Sequence, residues 1–145
     1  MKKIVLFIFV VCYCFSYDLG IYPKPKDGFV QKVIKLEPRN DEDNFRVEIY
    51  FGKDILADCN HHFFIDGKLK ELNLDGWGYK YYEFDGKDEL ANTLMMCDDV
   101  KKSKFVTYQD VLKPRYNSKL PIVIYVKKDI KLQVKIFKEI ESEIK

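Results

Sequence analysis

The chain has 145 residues, of which 25 are basic, 23 are acidic and 47% are hydrophobic. This length fits one domain rather than two. The near balance of charge excludes the strong basic or acidic excess that would indicate a nucleic-acid or membrane-surface partner.

The N-terminal residues have the pattern of a secretory signal peptide. Lys2 and Lys3 precede an apolar run over residues 4–11, and Ser16 is a small residue suited to cleavage. The apolar run is too short to span a bilayer as a helix. We therefore predict a signal peptide over residues 1–16 and one exported domain over residues 17–145. A buried N-terminal strand is the alternative.

Cleavage after residue 16 would remove two of the four cysteines and leave Cys59 and Cys97. An even pair of cysteines in an oxidising compartment favours a disulfide. Closing the long intervening loop would be worth about 4 kcal/mol in the chain-entropy model. The alternatives are two free buried thiols or a reactive nucleophile, and neither is typical of an exported protein.

Strand patterns dominate the rest of the chain, after an irregular segment over residues 17–28. Apolar and polar residues alternate, or β-branched and aromatic residues cluster, in the predicted strands 30–36, 45–51, 79–84, 121–126 and 130–136. We expect the first two strands to pair across the turn 38–44, and the last two to form a hairpin across residues 127–129. Short helices are plausible only at 86–90 or in the last eight residues. The predicted fold is a single all-β domain, an antiparallel sandwich or barrel with long loops.

The C-terminal strand has one apolar face, formed by Ile130, Leu132, Val134 and Ile136. Such a face requires a partner surface. That surface could belong to the same molecule or, by exchange of a terminal element, to a second copy. Composition alone leaves both open.

Catalytic chemistry has little support in the sequence. His61 and His62 are adjacent, so on a strand their side chains point to opposite faces and only one could enter a given metal site. We expect surface loop histidines, no metal and no cofactor. Motifs for a nucleophile elbow, a phosphate-binding glycine loop and a zinc protease are absent from the sequence. An enzyme built on His61 or His62 is the weaker hypothesis.

Two segments suit binding better than catalysis. Trp77 lies between Gly76 and Gly78, where it could either contact a partner or pack on the core. The stretch "NTLMMCDD" sets the apolar residues 94–96 between polar residues, a cysteine and two acids. Periodicity gives no reason for this apolar triplet.

Five motifs, read together, resemble the ecotin family. They are "ADCN" at 57–60, "GWGYKYY" at 76–82, "TLMMC" at 93–97, "KSKFVT" at 102–107 and "RYNSKLPIVIY" at 115–125. The resemblance covers residues 22–137. Ecotins are dimeric periplasmic inhibitors of chymotrypsin-like serine proteases, so the resemblance implies an inhibitor rather than an enzyme, located in the periplasm. It also implies a bond between Cys59 and Cys97.

The resemblance further implies which residues contact a protease. The reactive bond would be Leu94–Met95, in a reactive loop that also contains Asn92, Thr93, Met96 and Cys97. A second protease-binding surface, here called the second surface, would lie on the other protomer of a homodimer. It comprises Trp77, Gly78, Tyr79, Lys80, Arg115, Asn117, Lys119 and Leu120. The dimer would form by exchange of the strand from Ile130 to Phe137.

The chain departs from the family pattern at several of these positions. Leu94 stands where the family commonly has Met, Lys80 where an acid is common, and Phe137 where Trp is frequent. Met96 replaces a small residue, and the loop after Cys59 is longer by one residue. The alternative function is a secreted β-sandwich binding module that lacks inhibitory activity and uses Trp77 on another ligand.

Overall fold

The computed structural model describes residues 18–98 and 100–141, so the predicted signal peptide lies outside the described residues. Nearly all regular structure in the described part is β. The strands are β1 Phe29–Ile34, β2 Phe45–Ala57, β3 His62–Phe64, β4 Gly67–Asn73, β5 Lys80–Gly86, β6 Leu90–Asn92, β7 Lys102–Leu112, β8 Ile122–Lys127 and β9 Lys131–Lys138. Two short 3-10 turns, Leu19–Ile21 and Glu42–Asn44, complete the elements.

The strands form two sheets with the core between them. One sheet has the order β1-β8-β5-β4 and the other the order β6-β3-β7-β2-β9. Aromatic rings join the layers: Phe51 of β2 stacks on Phe84 of β5 with ring centroids 4.0 Å apart, and Tyr108 of β7 lies edge-on to Phe84 at 5.0 Å. Such pairs stabilise a core beyond the area they bury. The prediction of an all-β fold is confirmed, and the described strands form two open sheets rather than a closed barrel. The prediction that the sheets are antiparallel is wrong, because β5 pairs with β8, and β3 with β7, in parallel.

Both predicted hairpins are wrong. Strand β1 pairs with β8, whereas β2 pairs with β7 and β9, so β1 and β2 lie in different sheets. Strands β8 and β9 also lie in different sheets, although only three residues separate them. The physical reason is burial: residues 122–126 of β8 are all buried, as a central strand requires. Strand β9 is instead mostly exposed, as an edge strand can be.

The helix predicted at 86–90 is also wrong, because β5 continues through Gly86 and β6 begins at Leu90. A close approach of β7 accounts for the glycine. A Cβ atom on Gly86 would lie 2.6 Å from the hydroxyl oxygen of Tyr108. At the C-terminus β9 extends to Lys138, and residues 142–145 lie outside the described part.

Strand β2 is the longest strand and links distant parts of the molecule. Its register with β7 shifts between Tyr50 and Gly52. A Cβ atom on Gly52 would lie 2.4 Å from the carbonyl oxygen of Val106, so glycine allows the two strands to meet at this bulge. Beyond it β2 continues to Ala57, directly before Asp58 and Cys59.

Strand β9 forms one edge of its sheet. It pairs with β2 from Phe45↔Lys138 to Gly52↔Lys131, and no other described strand pairs with it. Leu132, Val134 and Ile136 lie beside the core residues of β2, yet Val134 and Ile136 stay exposed, as does Phe137. The described chain therefore has an open edge with apolar side chains along it.

Candidate functional site

The reactive loop follows β6 and exposes its apolar side chains. Leu94 is 96% exposed, and Met95 and Met96 are also exposed. These residues have no regular secondary structure after Asn92. The apolar triplet that periodicity could not explain therefore contributes nothing to the core and is available to a partner.

A disulfide joins Cys59 to Cys97, with Cα atoms 5.6 Å apart. The prediction of this bond is confirmed. The bond ties the end of the reactive loop to the segment that follows β2. It thereby removes conformations from the loop without contacting Leu94 or Met95.

Asn60 braces the backbone on the C-terminal side of Leu94. Its side-chain oxygen accepts a hydrogen bond from the Met95 N–H at 2.6 Å, and its amide nitrogen donates to the Met95 carbonyl at 3.3 Å. The Asn60 residue is only 6% exposed. A buried side-chain amide thus holds both backbone polar groups of Met95.

The N-terminal side of Leu94 is held through Thr93. The Thr93 hydroxyl donates to the same Asn60 oxygen at 3.0 Å and accepts from the His61 N–H at 3.0 Å. The Thr93 N–H donates to the His61 carbonyl at 3.0 Å. Leu94 therefore projects between two anchored neighbours.

Sequence reasoning did not single out Asn60, although it lies within the quoted "ADCN" motif. Its signal in the sequence is weak, because an asparagine after a cysteine is equally typical of a turn. Only the folded chain brings residue 60 within hydrogen-bonding distance of residues 93 and 95.

Asp58 and His62 continue the network behind Asn60. Asp58 accepts from the Asn60 N–H at 2.9 Å and from the Asn60 side-chain nitrogen at 3.2 Å. The Nε2 atom of His62 lies 2.8 Å from the Asp58 carboxylate. The hydrogen bond from His62, followed by those from Asn60, lowers the pKa of Asp58 from 3.8 to about 2.

The two histidines differ from the surface loop that we predicted. His61 is exposed, but His62 belongs to β3 and its side chain is only 10% exposed. The prediction of a surface histidine is therefore wrong for His62, because pairing of β3 with β6 draws its ring inward against Asp58. Among the described residues, no group of three or more His, Cys, Asp or Glu could hold a metal ion.

The first half of the second surface is the tip of the β4–β5 hairpin. The Trp77 and Gly78 N–H groups both lie 3.2 Å from the Leu74 carbonyl, and Gly76 and Gly78 have positive φ angles of 77° and 68°. These angles are accessible to glycine at little cost. Trp77 is 58% exposed and stacks on Tyr79, so it contributes to the surface rather than to the core.

The second half is the loop from Arg115 to Leu120, before β8. Tyr116 anchors it: this ring is buried, and its hydroxyl donates to the Glu37 carbonyl at 2.6 Å. Asn117 shapes the turn by accepting from the Lys119 N–H at 2.9 Å. Arg115 remains exposed and pairs with Asp43 at 2.5 Å, which raises the pKa of Arg115.

The fold brings the two halves together. A cavity of about 440 Å³ is lined by residues of both, including Gly78, Tyr79 and Lys80 from the hairpin and Arg115, Asn117 and Leu120 from the loop. Lys80 also pairs with Glu71 at 2.5 Å, and this contact raises its pKa. Trp77 and Lys119 do not line this cavity. The reactive-loop residues likewise lie elsewhere, around the disulfide.

The fold and these two surfaces define a class of protein: an all-β scaffold that presents a braced, exposed apolar loop for binding. No helix within residues 18–98 and 100–141 is long and apolar enough to cross a membrane. The sequence model of the Ecotin family matches residues 18–139. The chain belongs to the ecotin family.

Individual relatives agree with this assignment. An Ecotin of Pseudomonas fluorescens is 44% identical over 83% of this chain and 77% of its own length. Ecotins of Serratia proteamaculans and Yersinia enterocolitica are 41% and 40% identical over 81% and 80% of this chain and 70% of their own. Ecotins are protease inhibitors and not enzymes, so membership implies serine protease inhibition and confirms that the chain is not an enzyme.

Proposed function

We propose that this protein inhibits chymotrypsin-fold serine proteases, of the trypsin, chymotrypsin and elastase type, by presenting Leu94–Met95 as a substrate-like bond. One observation carries the proposal: Leu94 is 96% exposed while hydrogen bonds hold the residues on both sides of it. In this arrangement Leu94 enters the specificity pocket of the protease, and the loop from Asn92 to Cys97 lies along the cleft.

Bracing explains how a substrate-like segment can inhibit. Proteases bind extended segments whose side chains fill pockets, and a free peptide loses conformational entropy when it is ordered this way. The disulfide and Asn60 have already removed much of that freedom, so more of the contact energy is available as affinity. Leu94 is apolar, which favours chymotrypsin- and elastase-type pockets.

The same bracing disfavours product release. If the protease cleaved Leu94–Met95, the new amine at Met95 would still face the Asn60 side-chain oxygen, and the disulfide would keep the two pieces connected. The amine would therefore remain close to the acyl group and could reform the bond. The inhibitor would behave as a substrate that leaves very slowly.

We further propose a homodimer in which the strand from Ile130 to Phe137 is exchanged and the second surface of one protomer contacts the protease held by the other. The open edge of β9, with its exposed Val134, Ile136 and Phe137, supports association with a second copy. In the described chain β9 pairs with its own β2, and exchange would place the partner's strand in that position. Contacts at two surfaces add through avidity. They would let one inhibitor act on proteases with different pockets, including trypsin. A signal peptide over residues 1–16 and a periplasmic location belong to the same proposal, following the family.

Titration of the purified protein against trypsin, chymotrypsin and elastase tests the proposal. We expect stoichiometric inhibition of chymotrypsin and elastase, and inhibition of trypsin as well if the second surface contributes. Absence of inhibition at micromolar concentration would exclude the proposal and leave the binding-module alternative. A pull-down from a protease mixture would then identify any non-inhibitory partner.

Size measurement tests the dimer separately. Light scattering of the protein alone should give twice the chain mass, and addition of one protease should give a complex with two protease molecules per dimer. Ile136→Lys, on the apolar side of β9, should favour the monomer, whereas Lys135→Gln on the opposite side serves as a control. A monomeric wild-type protein at micromolar concentration would contradict the exchange.

A further inference from the structure

The network behind the reactive loop contains a pair of residues, Asp58 and His62, that act on it through Asn60 rather than by hydrogen bonds to Leu94 or Met95. Asp58 lies between Asn60 and His62, and His62 lies on β3. The family assignment gives no role to this pair. Its geometry nevertheless constrains the residue that holds the reactive bond.

The orientation of the Asn60 amide decides whether it can hold Met95. An amide has one end that accepts and one that donates hydrogen bonds. The observed orientation directs oxygen to the Met95 N–H and nitrogen to the Met95 carbonyl. Rotation of the amide by half a turn would set a donor against the Met95 N–H and lose the shortest bond of the brace.

Asp58 selects the observed orientation. An ionised carboxylate only accepts hydrogen bonds. Its oxygen lies 3.2 Å from the Asn60 side-chain nitrogen, so the rotated amide would direct an oxygen against a carboxylate oxygen. Two contacts therefore disfavour the rotated state: its oxygen would face a carboxylate oxygen of Asp58, and its N–H donor would face the Met95 N–H.

His62 in turn fixes Asp58. Because the carboxylate only accepts, the Nε2 atom of His62 must carry the proton in their 2.8 Å contact. The backbone of Asp58 is held as well, since Lys104 donates to its carbonyl oxygen. The carboxylate therefore has little freedom to turn away from Asn60.

We propose that Asp58 and His62 are positioning residues of the inhibitor: the carboxylate held by His62 keeps the Asn60 amide in the orientation that retains the Met95 N–H. The inference rests on the proposed function, because it assigns the pair a part in resisting cleavage of Leu94–Met95. The hydrogen bonding of the Met95 N–H, on which the proposal depends, can be measured without a protease.

The first experiment follows cleavage. Asp58→Asn keeps the shape but can donate to the rotated amide, so we expect hydrolysis of Leu94–Met95 by chymotrypsin to become roughly tenfold faster, as loss of one hydrogen bond to a charged group predicts. Hydrolysis adds one water, and the disulfide keeps the products together until reduction. Mass spectrometry with and without reductant therefore counts cleaved chains. Asp66→Asn, which alters an acid that pairs with Lys87 instead, is the matched control.

The second experiment tests whether the pair acts through Asn60. In an Asn60→Ala background the further change Asp58→Asn should alter the hydrolysis rate less than about twofold, because coupled residues are not additive. His62→Ala should resemble Asp58→Asn, whereas His62→Gln, which retains an N–H donor, should restore much of the wild-type rate. Additive effects, or equal behaviour of the two His62 variants, would overturn the proposal.

Hydrogen exchange at the Met95 amide gives a readout that does not depend on inhibition. Asp58→Asn and His62→Ala should exchange this amide roughly tenfold faster than the wild type, beyond any acceleration of the core amides in the same variant, which report the change in global stability. If the wild type inhibits no protease, the proposed function fails while this result still decides the positioning role. Wild-type exchange rates in both variants would exclude that role even if inhibition is found.

Discussion

The backbones of the reactive loop and of the second surface are fixed by different kinds of contact. Both surfaces expose side chains while keeping the backbone fixed. The reactive loop is fixed from outside, by the Cys59–Cys97 bond and by Asn60. The second surface is fixed by local turns and by a buried ring, Tyr116, that belongs to the loop itself. The Tyr116 hydroxyl in turn donates to the distant Glu37 carbonyl, so both surfaces depend on distant residues, but on different ones, and each can be disrupted without the other.

Loss of the disulfide should show most strongly that the two surfaces are independent, because in the folded protein it affects only the reactive loop. Replacing Cys59 and Cys97 together by serine should lower the free energy of unfolding by about 4 kcal/mol and weaken inhibition. Trp77 is the only tryptophan, so its fluorescence reports on the second surface alone. Its emission in the folded protein should stay unchanged. A shifted emission would show that the two surfaces are not independent.

Leu94→Asp should have the next largest effect. A charge at the residue that enters an apolar pocket should weaken inhibition of chymotrypsin by about 3 kcal/mol, a factor on the order of 100 in the inhibition constant. Leu94→Met, of similar volume, should cost little. An unchanged inhibition constant for Leu94→Asp would mean that the reactive bond lies elsewhere.

A smaller effect is expected at the second surface. Trp77→Ala should weaken inhibition by about 1–2 kcal/mol, and more for trypsin than for chymotrypsin, because Leu94 suits the trypsin pocket less well. Tyr81→Phe, in the same strand pair but outside the second surface, is a suitable control. Equal losses for both proteases would contradict a compensating role.

The smallest effect is expected on the free energy of unfolding at acidic pH. The pKa of Asp58 is lowered from 3.8 to about 2, so the stability from its hydrogen bonds is fully present above pH 3.8 and is lost as the pH falls towards 2. The difference in unfolding free energy between wild type and Asp58→Asn should be constant from about pH 6 to 4 and shrink below. A difference that vanishes near pH 5 would show that another group controls it.

Local features of the fold could be predicted from the sequence, whereas contacts between distant segments could not. Alternation located the strand at residues 45–51, where one face is buried, and the edge strand at 130–136, because that pattern is local. It could not predict which strands pair, since β1 at Phe29–Ile34 pairs with β8 at Ile122–Lys127, far along the chain. Alternation does not predict β7, although the motif "KSKFVT" lies in it, because the pattern is imperfect around the bulge opposite Gly52.

The candidate site shows the same limit. The cysteine pair could be predicted from compartment and number, and the exposed triplet was at least visible as an anomaly. The roles of Asn60 and His62 could not, because they arise from a contact with residue 95 and from the pairing of β3 with β6. Asp58 contacts residues only two and four positions away, but its role follows from the orientation of the Asn60 amide at Met95. Hydrogen bonds of this kind produce no periodic pattern in the amino-acid sequence.

Strand β2 sets the distance between the second surface and the reactive loop within one chain. Its thirteen residues begin at Phe45, beside the Arg46↔Arg115 bridge, and end at Ala57, beside the disulfide. At about 3.3 Å per residue this sets a span of roughly 40 Å between the two ends. A protease seated on the loop would have to reach along that whole length to touch the second surface of the same chain. In the proposed dimer a partner related by a two-fold axis would run its own β2 in the opposite direction, which would bring its second surface towards the reactive loop of the first protomer.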